Sequence, residues 1–140
     1  IYAEAANEAW GPKNANGKGF SAYDIIKAIR KRAGVGGADD AYLEACAASK
    51  EQMRELIRNE RRLELCFEGF RFWDLRRWKT ANKVLNEKIH GWNFEGETPA
   101  EYYSQRTLYT LKFIAPRDYF WPIHQNDLVV NPKLVQNPGW

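Results

Sequence analysis

The sequence predicts a mainly α-helical chain that carries a small β-hairpin, and three observations predict it. Apolar residues recur at helical spacing in the first half, at Ala22, Ile25, Ile26 and Ile29 and again at Met53, Leu56, Ile57, Leu63, Phe67 and Phe70. From Thr107 to Ile114 the pattern changes to an alternation of Tyr109, Leu111 and Phe113, which suits a strand. With 44% hydrophobic residues and 6 Trp, 7 Tyr and 7 Phe in 140 residues, the chain has the apolar content for one folded domain and too much for a disordered segment.

The elements follow in order. Residues 1 to 9 are Ala-rich and unbroken, and Trp10-Gly11-Pro12 ends that helix. After a loop, Ser21 is placed to cap a second helix in SAYDIIKAIRKRAG, with Lys and Arg in its last turn and Gly34 as terminator. The two form a helical pair with the 0, 4, 7 spacing of Ala22, Ile26 and Ile29 that a tetratricopeptide unit also has. Gly34 to Gly37 and Asp39-Asp40 mark a second break, DDAYLEACAAS forms a short helix, and Ser49 with Gln52 three residues on heads the longest helix. Gly69 interrupts it, and Phe70 to Trp78 forms a shorter helix rich in aromatic residues and arginine. Trp92 to Glu101 reads as loop. Thr107 to Ile114 and Tyr119 to Ile123 are expected to pair as a hairpin around Ala115-Pro116-Arg117-Asp118. These stretches group as 1–38, 39–81 and 82–140 within one 1–140 domain.

Charge and cysteine content remove several function classes. The 21 basic and 18 acidic side chains give a net charge of +3, and they are interleaved, which argues against a nucleic-acid partner. No apolar run reaches the roughly 18 residues that a membrane-spanning helix needs. Cys46 and Cys66 stand alone, without the clustered spacing of a zinc site.

Catalytic and metal chemistry find no motif. Glu60, Glu64 and Glu68 form an i, i+4, i+8 ladder, but neither His90 nor His124 stands three residues after a glutamate, as a di-metal carboxylate bundle requires. An ion-pair lattice with Arg58, Arg61, Arg62 and Arg71 is the expected use, and Glu60, which shares the apolar stripe, needs a partner most. Asp74 sits among Arg71, Arg76 and Arg77, which disfavours a raised carboxyl pKa. No Gly-x-Ser-x-Gly elbow and no phosphate-binding glycine loop is present. The expectation is no enzyme, no cofactor and no metal. The remaining candidates are Trp92, Phe94, Tyr102 and Tyr103, aromatic residues in or beside loops whose flat faces suit stacking on sugar rings.

Three stretches carry a resemblance. NERRLELCFEGFRFWDLRRWKTA (59–81) resembles the signature of the SusD/RagB family of outer-membrane nutrient-binding lipoproteins, AYDIIKAIRKRAG (22–34) is similar to the family's last repeat helix, and YFWPIHQNDLVVNPKLVQNPGW (119–140) is similar to its C-terminus. The family commonly has Pro where His124 stands and a small residue where Cys66 stands. The resemblance implies tetratricopeptide-like helical pairs packed on an irregular ligand-binding part, with no enzymatic activity. It implies capture of oligosaccharide or another nutrient at the cell surface, a lipidated N-terminal cysteine outside this chain, and a TonB-dependent, SusC-like transporter as partner. Within the matching motifs, Glu60, Arg61, Glu68, Arg71, Asp74, Arg76 and Arg77 are read as a framework of paired charges.

Family members are several times longer, so the chain is expected to be a C-terminal portion whose main sugar platform lies upstream. The apolar face of helix 1–9 and parts of helix 50–68 should then be exposed in an isolated monomer. The alternative is a helical-repeat module that binds a protein and no glycan, which a concave apolar groove between helices would favour.

Overall fold

A computed structural model describes all residues, 1–140. The chain forms two compact units, Ile1–Arg71 and Phe72–Trp140. It is mainly helical with one small antiparallel sheet, as the sequence predicts.

The first unit is built on α1 (Tyr2–Trp10), α2 (Ala22–Arg32), α3 (Ala41–Cys46) and α4 (Lys50–Glu64). The starts of α2, α3 and α4 are fixed locally. Ser21 and Asp24 form a reciprocal capping box on α2, the Asp40 carboxylate accepts from the Leu43 amide on α3, and the Ser49 hydroxyl accepts from the Gln52 amide on α4. At the end of α2, Gly34 at φ 71 turns the chain so that the Val35 amide reaches the Arg30 carbonyl at 2.9 Å, a closure that satisfies an orphan carbonyl.

Small residues let the helices approach. Ala3 and Ala6 of α1 and Ala22 of α2 are buried against Ile26, Leu43, Met53, Leu56 and Ile57. Asn7, fully buried, donates from Nδ2 to the Lys50 carbonyl at 3.0 Å and so ties α1 to the head of α4. Arg54 grips Glu8 with two bonds of 2.6 and 2.7 Å on the same seam. The apolar face of α1 is not exposed as expected, because Ala3 and Ala6 pack into the core with Met53, Leu56 and Ile57; among the large apolar side chains of 1–9 and 50–68, exposure is confined to Ile1, Tyr2, Leu63 and Phe67. Because α4 stops at Glu64, the acidic ladder is cut short, and Glu68 lies exposed beyond the helix end.

The boundary between the units falls within α5 (Phe70–Arg77). The second unit continues with α6 (Ala81–Val84), β1 (Lys88–Trp92), α7 (Pro99–Tyr102), β2 (Gln105–Thr110), a short 3-10 turn at Arg117–Tyr119 and α8 (Gln125–Val130). Its core joins Leu75, Ala81 and Phe113 with Val84, Leu85 and Tyr119.

The hairpin has a different partner from the one the sequence predicts. β2 overlaps the expected strand, but it pairs with β1, with Lys88 opposite Thr110 and Trp92 opposite Gln105 and a bulge between Ile89 and His90. Tyr119 to Ile123 cannot take that role because its backbone is already occupied. The Gln136 side chain bonds both the amide and the carbonyl of Ile123, at 2.8 and 3.0 Å, and Asn137 Nδ2 donates to the Trp121 carbonyl at 2.6 Å. Residues 114–119 curl on themselves, with the Ile114 amide bonded to the Asp118 carboxylate at 2.7 Å and the Asp118 amide to the Ile114 carbonyl at 2.8 Å. Trp92 to Glu101, expected as loop, contains the end of β1 and the single-turn α7.

Candidate functional site

Three of the four sequence-predicted aromatic residues, Phe94, Tyr102 and Tyr103, gather at the tip of the β1–β2 hairpin. Phe94 packs edge-on against Tyr102, with centroids 5.7 Å apart, and Tyr102 packs edge-on against Tyr103 at 5.3 Å. Such edge-to-face pairs are favourable arrangements of ring quadrupoles. Phe94 and Tyr103 are 69% and 70% exposed, so most of each ring is free to contact another molecule, while Tyr102 between them is 39% exposed. Trp92 stands apart from these ring pairs, half exposed at the end of β1.

Local hydrogen bonds hold the tip in shape. Thr98 and Glu101 form a capping box on α7 with Pro99 in its first turn. The Glu101 carboxylate also accepts from the Glu97 amide at 3.2 Å, and its pKa is lowered, first by the Thr98 amide bond. Asn93 closes the neck, its amide on the Ser104 carbonyl at 3.0 Å and its Nδ2 on the Glu101 carbonyl at 3.2 Å. Gly96 lets the loop fold back on α7: a Cβ there would lie 2.6 Å from the Tyr102 amide nitrogen. The rings are therefore presented by a loop whose polar groups are bonded within itself, which reduces the ordering cost of binding.

The framework residues fall into two sets. In the first unit, Glu60 pairs with Arg30 of α2 at 2.6 Å, where the expectation looked to arginines close by in sequence. Arg30 also takes both oxygens of Asp40, at 2.5 and 3.1 Å, and all three side chains are buried. Asp40 is held below the usual carboxylate range, first by its hydrogen bond to Arg30, and Arg30 is correspondingly raised. Arg32 pairs with Glu64 on the same helix pair. The Arg61 guanidinium lies 5.4 Å from the Phe70 ring centroid.

In the second unit, Asp74 is buried and pairs with Arg77 at 2.8 Å. Arg76 stacks 3.5 Å from the Phe72 centroid and Arg77 lies 4.8 Å from that of Trp78. Arg71, the last residue of the first unit, is half-buried. Two features escaped the sequence. One is the Arg30–Asp40 pair, since Asp39-Asp40 reads only as a break; the other is an exposed ring group in which Phe72 meets Trp73 at 5.0 Å and Trp121 at 6.5 Å. No group of three or more His, Cys, Asp or Glu side chains is arranged to hold a metal ion. No helix is long and apolar enough to cross a membrane.

Known proteins resemble this chain in sequence and in fold. The chain is 29% identical over 142 residues to SusD-like protein P2 of Formosa agariphila, an alignment that covers 100% of this chain and 24% of that protein. It is 32% identical over 88 residues to SusD-like protein P38 of the same organism, covering 63% of this chain and 13% of the relative. The chain thus spans about a quarter of the first relative's length. A solved structure titled BT4246 superposes with a TM-score of 0.64 at 28% identity, covering 90% of this chain and 21% of that one. A sequence model of the SusD family matches residues 1–140, the whole chain, and the chain belongs to that family.

Proposed function

We propose that this chain is the C-terminal framework portion of a cell-surface protein that binds an oligosaccharide or another nutrient without catalysis and delivers it to a TonB-dependent, SusC-like transporter of the outer membrane. Family membership supports the general role. The one observation that carries the local part is the exposed ring platform of Phe94, Tyr102 and Tyr103 on a self-bonded loop. In this reading Trp92 flanks the platform, and the protein is held at the cell surface as a lipoprotein. Neither a cofactor nor nucleic acid has a part in it.

Two measurements test it. A glycan array probed with this chain should give saccharide hits that weaken when Phe94 and Tyr103 are both changed to Ala. Affinity purification of a longer SusD-like protein containing this chain, from outer membranes, should recover a TonB-dependent transporter. Saccharide-independent array signals, or purification without a transporter, contradict the respective halves of the proposal.

One observation favours a second reading, a helical-repeat module that binds protein. A groove of about 260 Å³ runs between α1, α2 and α4, with Ile1, Ile25, Ile29, Ile57 and Leu65 in its lining and Arg61 and Glu64 at its edge. Peptide binding that survives loss of the hairpin rings, with no saccharide bound, supports this reading over the first.

A further inference from the structure

Resting on the saccharide reading of the hairpin tip, we infer that the platform selects uncharged or amine-bearing saccharides and rejects polyanionic ones. The charge around the rings is one-sided. From Asn93 to Ser104 the chain carries Glu95, Glu97 and Glu101 and no Lys, Arg or His. Gly96 brings the Glu95–Glu97 segment against α7, because only a residue without a side chain fits 2.6 Å from Glu101 Cβ and the Tyr102 nitrogen. The two outer carboxylates therefore belong to the same small surface as the Phe94, Tyr102 and Tyr103 rings.

The cations within reach do not cancel them. Arg106 pairs with Glu95 at 3.1 Å, leaving the carboxylates of Glu97 and Glu101 in excess. The Glu101 carboxylate is engaged by the Glu97 and Thr98 amides, which hold it ionised without bringing a positive charge. Lys88 sits at the far end of β1, opposite Thr110, four residues from Trp92. At about 3.3 Å per strand residue that is roughly 13 Å, beyond the ~10 Å over which exposed charges interact at 0.1 M salt. A uronate or sulfate stacked on the rings would face uncompensated like charge. A protonated amino sugar would instead meet ring faces and carboxylates together, both of which attract a cation.

Three hexasaccharides separate the cases: glucosamine hexamer, its N-acetylated counterpart, and galacturonate hexamer, titrated calorimetrically into the chain at about 0.1 M salt and about pH 5.5, where the amines are protonated and carboxylates ionised. The amine form is expected to bind about two- to fivefold tighter than the acetylated form, the range of an exposed cation–π contact. The galacturonate form should give no heat of binding. Glu95→Gln with Glu97→Gln should bring the first two affinities together. Galacturonate binding as tight as that of the acetylated hexamer, or an amine preference untouched by the double variant, overturns the charge selection alone. Failure of all three to bind overturns the platform reading on which the selection rests.

Discussion

Arg30 Nη1 lies 2.6 Å from Glu60 Oε1 although the two residues are 30 positions apart, and both are 7% exposed. With Asp40 also bonded to the guanidinium, one cation on α2 satisfies two buried carboxylates, one at the start of α3 and one on α4. Removing it leaves both anions without their partner, and an uncompensated buried charge is the costly outcome for such pairs. Arg30→Ala should lose about 3 kcal/mol in urea unfolding. Glu60→Gln keeps an acceptor for Arg30 and should lose less. Equal stability of Arg30→Ala and the native chain rejects the triad as a fold determinant.

The same cluster depends on a glycine. Gly36 at φ 89 faces Asp40, and a Cβ there would fall 2.3 Å from the Asp40 Cγ, whereas Gly37 at φ 65 has open space. Both positions strain any L residue by about 1–2 kcal/mol, but only Gly36→Ala also pushes Asp40 from Arg30. Gly36→Ala should therefore unfold at clearly lower urea than Gly37→Ala. Matching midpoints for the two variants contradict the clash.

Acid should weaken the first unit. Asp40 is lowered first by its bond to Arg30, Glu8 by its bond to Arg54, and Asp24 by the Ser21 amide. A group whose folded pKa is depressed binds protons more readily when unfolded. Its contribution is thus complete above the ordinary carboxylate value, about 4, and is lost as pH falls from there through the folded value. Unfolding midpoints should be flat near neutrality and drop below about pH 4. Asp40→Asn should flatten part of that drop, and an unchanged slope denies the assignment.

Tyr23 gives the alkaline counterpart. Its hydroxyl donates to the Glu44 carboxylate, which pushes its pKa up to about 12. Removing the phenolic proton breaks that bond and sets two anions side by side. The ultraviolet difference titration between native chain and Tyr23→Phe should show ionisation near pH 12, and Glu44→Gln should return it toward the ordinary value of about 10. Ionisation of Tyr23 near 10 in the native chain contradicts the contact.

The helices were legible because their signals are local. Ser21, Ser49 and Gly34 act within a few residues of where they stand, and the apolar spacing of Met53, Leu56 and Ile57 marks the buried face directly. Strand pairing was not, because it is decided by competition. Thr107 to Ile114 alternates visibly, but Lys88–Trp92 is short and holds Gly91, and the rival segment is withdrawn by Gln136 and Asn137 from the far end of the chain. Of the site, the aromatic identities were legible and their grouping was not. Phe94 meets Tyr102 only because Gly96 and the Thr98–Glu101 capping box fold the loop back, and that closeness has no periodic signature. Ion-pair partners failed for the same reason: Glu60 has arginines beside it in sequence, yet helix geometry turns it to Arg30.

If the hairpin tip contacts saccharide through its rings, calorimetric titration of one array-selected oligosaccharide should separate the native chain from Phe94→Ala/Tyr103→Ala. Loss of two exposed ring faces should weaken binding by about tenfold or more, about 1.4 kcal/mol, while the unfolding midpoint stays within experimental error because neither ring is buried. The same affinity for both proteins would contradict the account.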